Sequence, residues 1–227
     1  MTGAGLSTVL LFVKAPVRGQ VKSRLASELG QDAALELYRG FVQDILATID
    51  AGGYDCTVCV HPPDARDRVA EWLGRHRRCL PQRGNDLGTR MENAFHETFA
   101  SGASQAILVG SDIPDLPGQV FFEAFSALHK NDAVIGPAAD GGYYLVGFRK
   151  DTFRPEVFRD IAWSTGGVFS ETMEHFNRAG ARVHMLQQWQ DVDTPDDLRS
   201  LQRRANGTSF ERSRSMTVIN RLCGTMK

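Results

Sequence analysis

The sequence predicts an α/β fold of three layers, α/β/α, in which helices cover both faces of a mostly parallel mixed sheet. Three observations lead there: short apolar runs rich in β-branched residues, helical stripes alternating with those runs, and Gly, Pro and Asp clusters at the junctions.

Residues 8–13 (TVLLFV) form a continuous apolar run that stops where Lys14, Pro16 and Gly19 begin a polar loop, the pattern of a buried strand. Across residues 32–49, Ala34, Tyr38, Phe41, Ile45 and Ile49 recur at helical spacing, and Gly52 and Gly53 close that helix. Residues 56–60 (CTVCV) read as a second strand and residues 64–73, behind Pro62 and Pro63, as a helix. A helix over 87–99, a strand over 106–109 (AILV) and a helix over 120–128 repeat the alternation. Two β-like stretches, 133–136 and 143–148, flank the turn Asp140, Gly141, Gly142. A helix over 168–178, a strand near 182–186 and a helix from Pro195 complete one domain spanning residues 1–204. From Ala205 onward Ser, Arg and Asn become frequent, so residues 205–227 are expected to be a weakly ordered tail.

Bulk properties exclude several classes. With 42% hydrophobic and 23% charged residues the chain is neither disordered nor fibrous. A net charge of -1 gives no electrostatic footprint for nucleic acid. No apolar run suits a signal peptide or a membrane span, and four irregularly spaced cysteines suit a reducing cytoplasm, which is the expected location. Cys56 and Cys59 spell CxxC, but residues three apart on a strand face opposite ways, which disfavours a redox or zinc pair. His61, His76, His129 and His184 lack partners at ligand spacing, and Trp163 and Trp189 read as packing residues.

In an open α/β sheet, ligands bind beyond the carboxyl ends of the strands. The loop after the first strand carries Lys14, Arg18, Lys22 and Arg24 directly ahead of a helix, an arrangement suited to a polyphosphate. It is neither a P-loop nor a GxGxxG fingerprint. In LVGSDIPDL, residues 108–116, an apolar strand delivers Asp112 at its end, where a hard oxygen ligand suits Mg²⁺; capping the turn before Pro114 is the alternative. Asp140, in GPAADGGYYLVG, either ligates metal, orients a sugar or ribose hydroxyl, or simply makes a tight turn. In QDVDTPDDL, Thr194 and Pro195 start a helix, which leaves Asp193 as a second candidate carboxylate.

Five segments together resemble a bacterial family of GT-A-type nucleotide-diphospho-sugar transferase-like proteins, and are similar to the guanylyl- and cytidylyltransferases of that fold. They are FVKAPVRGQVKSRL, QRGNDLGTRM, GSDIPDL, ADGGYYLVG and DVDTPDDL. The resemblance implies that Lys22 and Arg24 contact phosphates and that Asp112 holds a divalent cation, Mg²⁺ or Mn²⁺, with Asp140 or Asp193. It further implies that Gln82, Asp86 and Arg90 line the nucleotide or acceptor pocket. The loop lacks the LxxGxGxR form of nucleotidyltransferases, and Asp112 sits in SDIP rather than DxD. The expected activity is magnesium-dependent glycosyl transfer from a nucleotide sugar to a small-molecule or other acceptor. The alternatives are nucleotidyl transfer from a nucleoside triphosphate with pyrophosphate release, or nucleotide binding without catalysis.

Overall fold

The structure, a computed structural model, describes residues 6–225. Seven strands form one sheet in the order β3-β2-β1-β4-β6-β5-β7. They are β1 (Ser7–Lys14), β2 (Asp55–His61), β3 (Arg78–Pro81), β4 (Gln105–Val109), β5 (Ala133–Pro137), β6 (Tyr143–Arg149) and β7 (Val183–Met185). Every neighbouring pair is parallel except the two made by β6, so β6 alone runs against the rest. The α/β/α architecture with a mostly parallel mixed sheet is therefore the one the alternation predicts.

One face of the sheet packs on α2 (Gln31–Ala51), α3 (Arg66–Leu73) and α5 (Gly118–Leu128), through Val9, Leu11, Ile45, Val69 and Phe121 among others. The opposite face packs on α4 (Leu87–Ala100) and α6 (Val168–Arg178), through Phe12, Phe95, Phe148 and Phe176. Period-two alternation along β1 produces this division, with Leu10 and Phe12 on one side and Val9, Leu11 and Val13 on the other. Cys56 and Cys59 likewise join opposite cores.

A third cluster lies behind α2. There α1 (Ser23–Leu29), α7 (Pro195–Ala205) and α8 (Arg214–Thr225) meet the outer side of α2 through Leu25, Leu37, Phe41, Leu201, Met216 and Ile219. The expected weakly ordered tail is corrected here. After Asn206 the chain makes a turn of 3-10 helix, Ser209–Arg212, and then α8, which buries Met216, Val218 and Ile219 against α2. Gly40 allows the close approach, since a β-carbon there would meet the Ser215 backbone at 3.3 Å. The buried Asp44 carboxylate fixes the helix start, accepting from Arg214 N–H (3.0 Å), Ser215 N–H (2.8 Å) and the Ser215 hydroxyl. Asp44→Ala leaves those donors without their acceptor. It is expected to cost about 1–3 kcal/mol, read as a lower urea midpoint with an unchanged slope.

No helix among the described residues is long and apolar enough to cross a membrane.

Candidate functional site

The carboxyl ends of β1 and β4 and the turn between β5 and β6 open into one crevice of about 810 Å³, within the range of ordinary ligand sites. Its floor comes from two loops held in register by backbone. The Asp112 carbonyl accepts the Val192 N–H at 2.9 Å, which sets the loop after β4 beside the segment preceding α7. Thr194 caps α7 in a reciprocal box with Asp197, and the Asp197 carboxylate also accepts the Asp193 N–H at 3.1 Å. Arg204, from the last turn of α7, clamps Asp115 at 2.8 Å. The predicted helix start is real, and it fixes the backbone that presents Asp193.

Lys22 lies at the centre. It is the N-cap of α1 and takes a left-handed backbone conformation (φ 48°, ψ 51°), unusual for a side-chain-bearing residue. Its side chain is 4% exposed, while those of Asp112 and Asp193 are 53% and 40% exposed. Its ammonium pairs with Asp112 Oδ1 and, at 2.8 Å, with Asp193 Oδ1, and sits 5.5 Å from the centre of the Phe41 ring. Burial pulls the Lys22 pKa down, but Asp112 and Asp193 outweigh it, and the net displacement is upward. Burial pushes the Asp112 carboxyl up; Lys22, with help from Lys14, reverses this and holds it below the usual range.

Asp191 and Asp140 line the same crevice. The Asp191 carboxyl is pushed up to about 6 by burial and by the negative charges of Asp140 and Asp193. This local excess of negative charge is one that a divalent cation neutralises, and carboxylate oxygens are the donors Mg²⁺ and Mn²⁺ take. The donor set thus fits a hard cation. Among the described residues, however, no three His, Cys, Asp or Glu side chains are already grouped to hold one.

Asp140 also makes the tight turn that its neighbours suggest, its Oδ1 accepting the Gly142 N–H at 2.9 Å. Gly141 (φ 90°) leans on a second loop so closely that a β-carbon would come within 2.2 Å of the Gly166 carbonyl oxygen. That loop carries Trp163, Ser164 and Thr165 into the crevice wall. Trp163 meets Tyr143 edge-on, and a β-carbon on Gly88 would come within 2.8 Å of its ring. It both packs and lines the crevice.

Of the cations expected to gather here, Lys14, Lys22, Arg24 and Arg90 line the crevice. Arg18 is not among its lining residues and is paired instead with Asp32 (2.7 Å) and Gln31 (2.8 Å) at the surface. Gln82 lines the crevice, donating its amide to the Cys59 carbonyl at 2.8 Å. Asp86 does not line it; its side chain caps α4, accepting the Thr89 N–H at 2.7 Å. Arg90 donates to His61 Nδ1 at 3.3 Å, and burial, Arg90 and Lys14 together lower the His61 pKa. Sequence reasoning missed His61 and Asp191 as crevice residues. The first is the last residue of β2, one beyond the apolar run that marks that strand, and the second sits among acids that read as a helix start, so neither carries a distinctive local signal.

Residues 45–165 match a protein family described as uncharacterized protein conserved in bacteria (DUF2064). No curated protein gives a significant match. A crystal structure described as a "putative nucleotide-diphospho-sugar transferase" from Desulfovibrio desulfuricans G20 is similar at 42% identity, covering 96% of this chain and 95% of that one, with a TM-score of 0.93. The 4-diphosphocytidyl-2C-methyl-D-erythritol synthase of Anaerococcus prevotii DSM 20548 shares the fold at 12% identity and a TM-score of 0.56, covering 85% and 92% of the two chains. Rv0371C of Mycobacterium tuberculosis H37Rv, in complex with manganese, shares it at 18% identity and a TM-score of 0.51, covering 87% and 98%.

Proposed function

The chain belongs to the bacterial family DUF2064, whose fold is that of the nucleotide-diphospho-sugar transferases, and from that premise we propose that it is a cytoplasmic, magnesium-dependent transferase using a nucleotide-sugar donor. One observation carries the reading: a single crevice sets the carboxylates of Asp112, Asp140, Asp191 and Asp193 against the cations of Lys14, Lys22, Arg24 and Arg90. Acids beside bases at the carboxyl ends of parallel strands suit a metal and a diphosphate bound together.

In this reading Asp112 would hold Mg²⁺ or Mn²⁺, with Asp193 as partner. The alternative partner, Asp140, is engaged with its own turn, whereas Asp193 converges with Asp112 on one point. A cation bound there would supply charge neutralisation for a diphosphate leaving group. Lys14, Lys22, Arg24 and Arg90 bind the phosphate oxygens and so stabilise the leaving group as the bond from the sugar carbon to the phosphate oxygen breaks. Asp140 and the Trp163 loop face the acceptor, whose hydroxyl oxygen forms the new bond to the sugar carbon while its proton passes to a carboxylate of the crevice. Gln82 orients the nucleotide, and Asp86 contributes by fixing the start of α4.

The manganese complex of Rv0371C supports a divalent cation in this fold. Nucleotidyl transfer is the second reading. The observation favouring it is the number of cations facing the crevice, enough for a triphosphate, and pyrophosphate release from a nucleoside triphosphate distinguishes it.

The test is a thermal-shift screen of nucleoside diphosphates, triphosphates and nucleotide sugars with and without Mg²⁺. A ligand at 100 times its Kd adds roughly 2.7 kcal/mol of stability. For the ligand that registers, Arg24→Ala is expected to cost about 1.5–3 kcal/mol of binding free energy by calorimetry without altering the unfolding transition. A screen with no magnesium-dependent stabilisation by any nucleotide refutes the reading.

A further inference from the structure

The Lys22 ammonium stands between the two carboxylates best placed to hold a divalent cation. We infer that Lys22 and the cation compete for Asp112 and Asp193, so that the metal site forms only when a diphosphate draws the lysine away. The inference rests on reading the crevice as a metal and nucleotide site.

Charge and space carry the argument. Asp112 Oδ1 and Asp193 Oδ1 both pair with the same nitrogen, so a cation bridging those oxygens and the ammonium cannot share the position. The lysine side chain is almost wholly buried, and a buried charge that loses its partners is strongly disfavoured. A metal arriving alone would expel it with no replacement anion. A metal arriving with a diphosphate brings that anion, because phosphate oxygens offer the ammonium new partners beside Lys14 and Arg24. Binding of each then strengthens binding of the other, as linkage requires when one group opposes only the first arrival. Lys22 is thus more than a phosphate contact. It holds Asp112 and Asp193 close together, and it couples metal entry to nucleotide entry.

The left-handed backbone of Lys22 agrees with this role. A non-glycine residue is strained in that conformation, and its side chain lies inward against the acids and the Phe41 ring.

The experiment measures Mn²⁺ binding to the full chain by electron paramagnetic resonance, first with Mn²⁺ alone and then with pyrophosphate present. Wild-type protein is expected to bind Mn²⁺ alone weakly. Lys22→Met, which keeps length and packing but removes the charge, is expected to bind it at least about tenfold more tightly. Lys22→Arg keeps the charge and is expected to remain weak. A Lys22→Met protein that retains the wild-type unfolding transition and binds Mn²⁺ no more tightly overturns the inference. A crystal structure of the unmodified protein grown with Mn²⁺ and pyrophosphate tests it without any variant. Manganese on Asp112 and Asp193 with the Lys22 ammonium moved onto phosphate supports the exchange. Manganese on Asp112 with Lys22 still bridging both carboxylates refutes it. If neither wild type nor Lys22→Met takes up Mn²⁺ in this crevice, with pyrophosphate or without, the metal and nucleotide reading itself fails.

Discussion

Asp112→Asn is expected to remove the magnesium dependence of nucleotide binding and to lower any transfer activity on the order of 100-fold or more. Outer partners of metal ligands alone typically cost 10–100-fold when changed, and Asp112 is proposed as a direct ligand. Asparagine keeps the size and shape of the side chain, and the backbone carbonyl still accepts the Val192 N–H, so the two floor loops stay in register. What changes is charge: Lys22 then faces one carboxylate instead of two. Titration of nucleotide into wild type and variant, with and without Mg²⁺, provides the measurement. Asp193→Asn is expected to reproduce part of the loss, and Asp140→Asn much less, because Asp140 is held by its own turn. Lower thermal stability together with an intact magnesium effect would assign Asp112 a structural role and dismiss the metal site.

The second large effect concerns the end of the described chain. Removing everything after Arg204 strips α8 from α2, uncovering Leu37 and Phe41 and eliminating the burial of Met216, Val218 and Ile219. Each such apolar side chain contributes about 1.5–3 kcal/mol when buried. The Asp44 carboxylate also loses all three of its donors. For a domain of this size each kcal/mol moves the melting temperature by roughly 2–4 °C, so a fall of about 10 °C or more is expected by calorimetry. A shortened protein that melts at the wild-type temperature would show that α8 adds nothing to the core.

The sequence made this last feature hard to see. Met216, Ile219 and Leu222 do lie three apart on α8, but the stripe is short and set among Ser, Arg and Asn that read as a polar tail, and its capping residue, Asp44, is 170 positions away. Strand β3 was unreadable for another reason. RCLP is four residues long, shows no alternation and ends in proline, and it becomes a strand because β2 offers an edge to pair with. By contrast β1, α2 and α6 were legible, since long apolar periods and glycine stops are local properties. In the crevice, Asp112, Asp193 and Lys22 could be found because strand ends and loop chemistry mark them, whereas Arg90, on α4, was implied only by the family resemblance. Arg18 and Asp86 had the right chemistry in the right segments, yet surface pairing and helix capping engage them, and only three-dimensional neighbours decide that.

The lone reversed strand, β6, also sets how the crevice comes into being. Its pairing with β5 closes across a turn of a few residues, from Pro137 to Tyr143. The seam between β1 and β4 instead joins Ser7 to Gln105, 98 positions apart. Loop-closure entropy grows with that separation, and distant parallel pairing is slow. A folding chain therefore reaches the hairpin bearing Asp140 easily, whereas Lys14 and Asp112 become neighbours only once the long seam has zipped. A half-folded molecule holds one acid of the crevice without the rest, so the crevice is completed only at the end of folding.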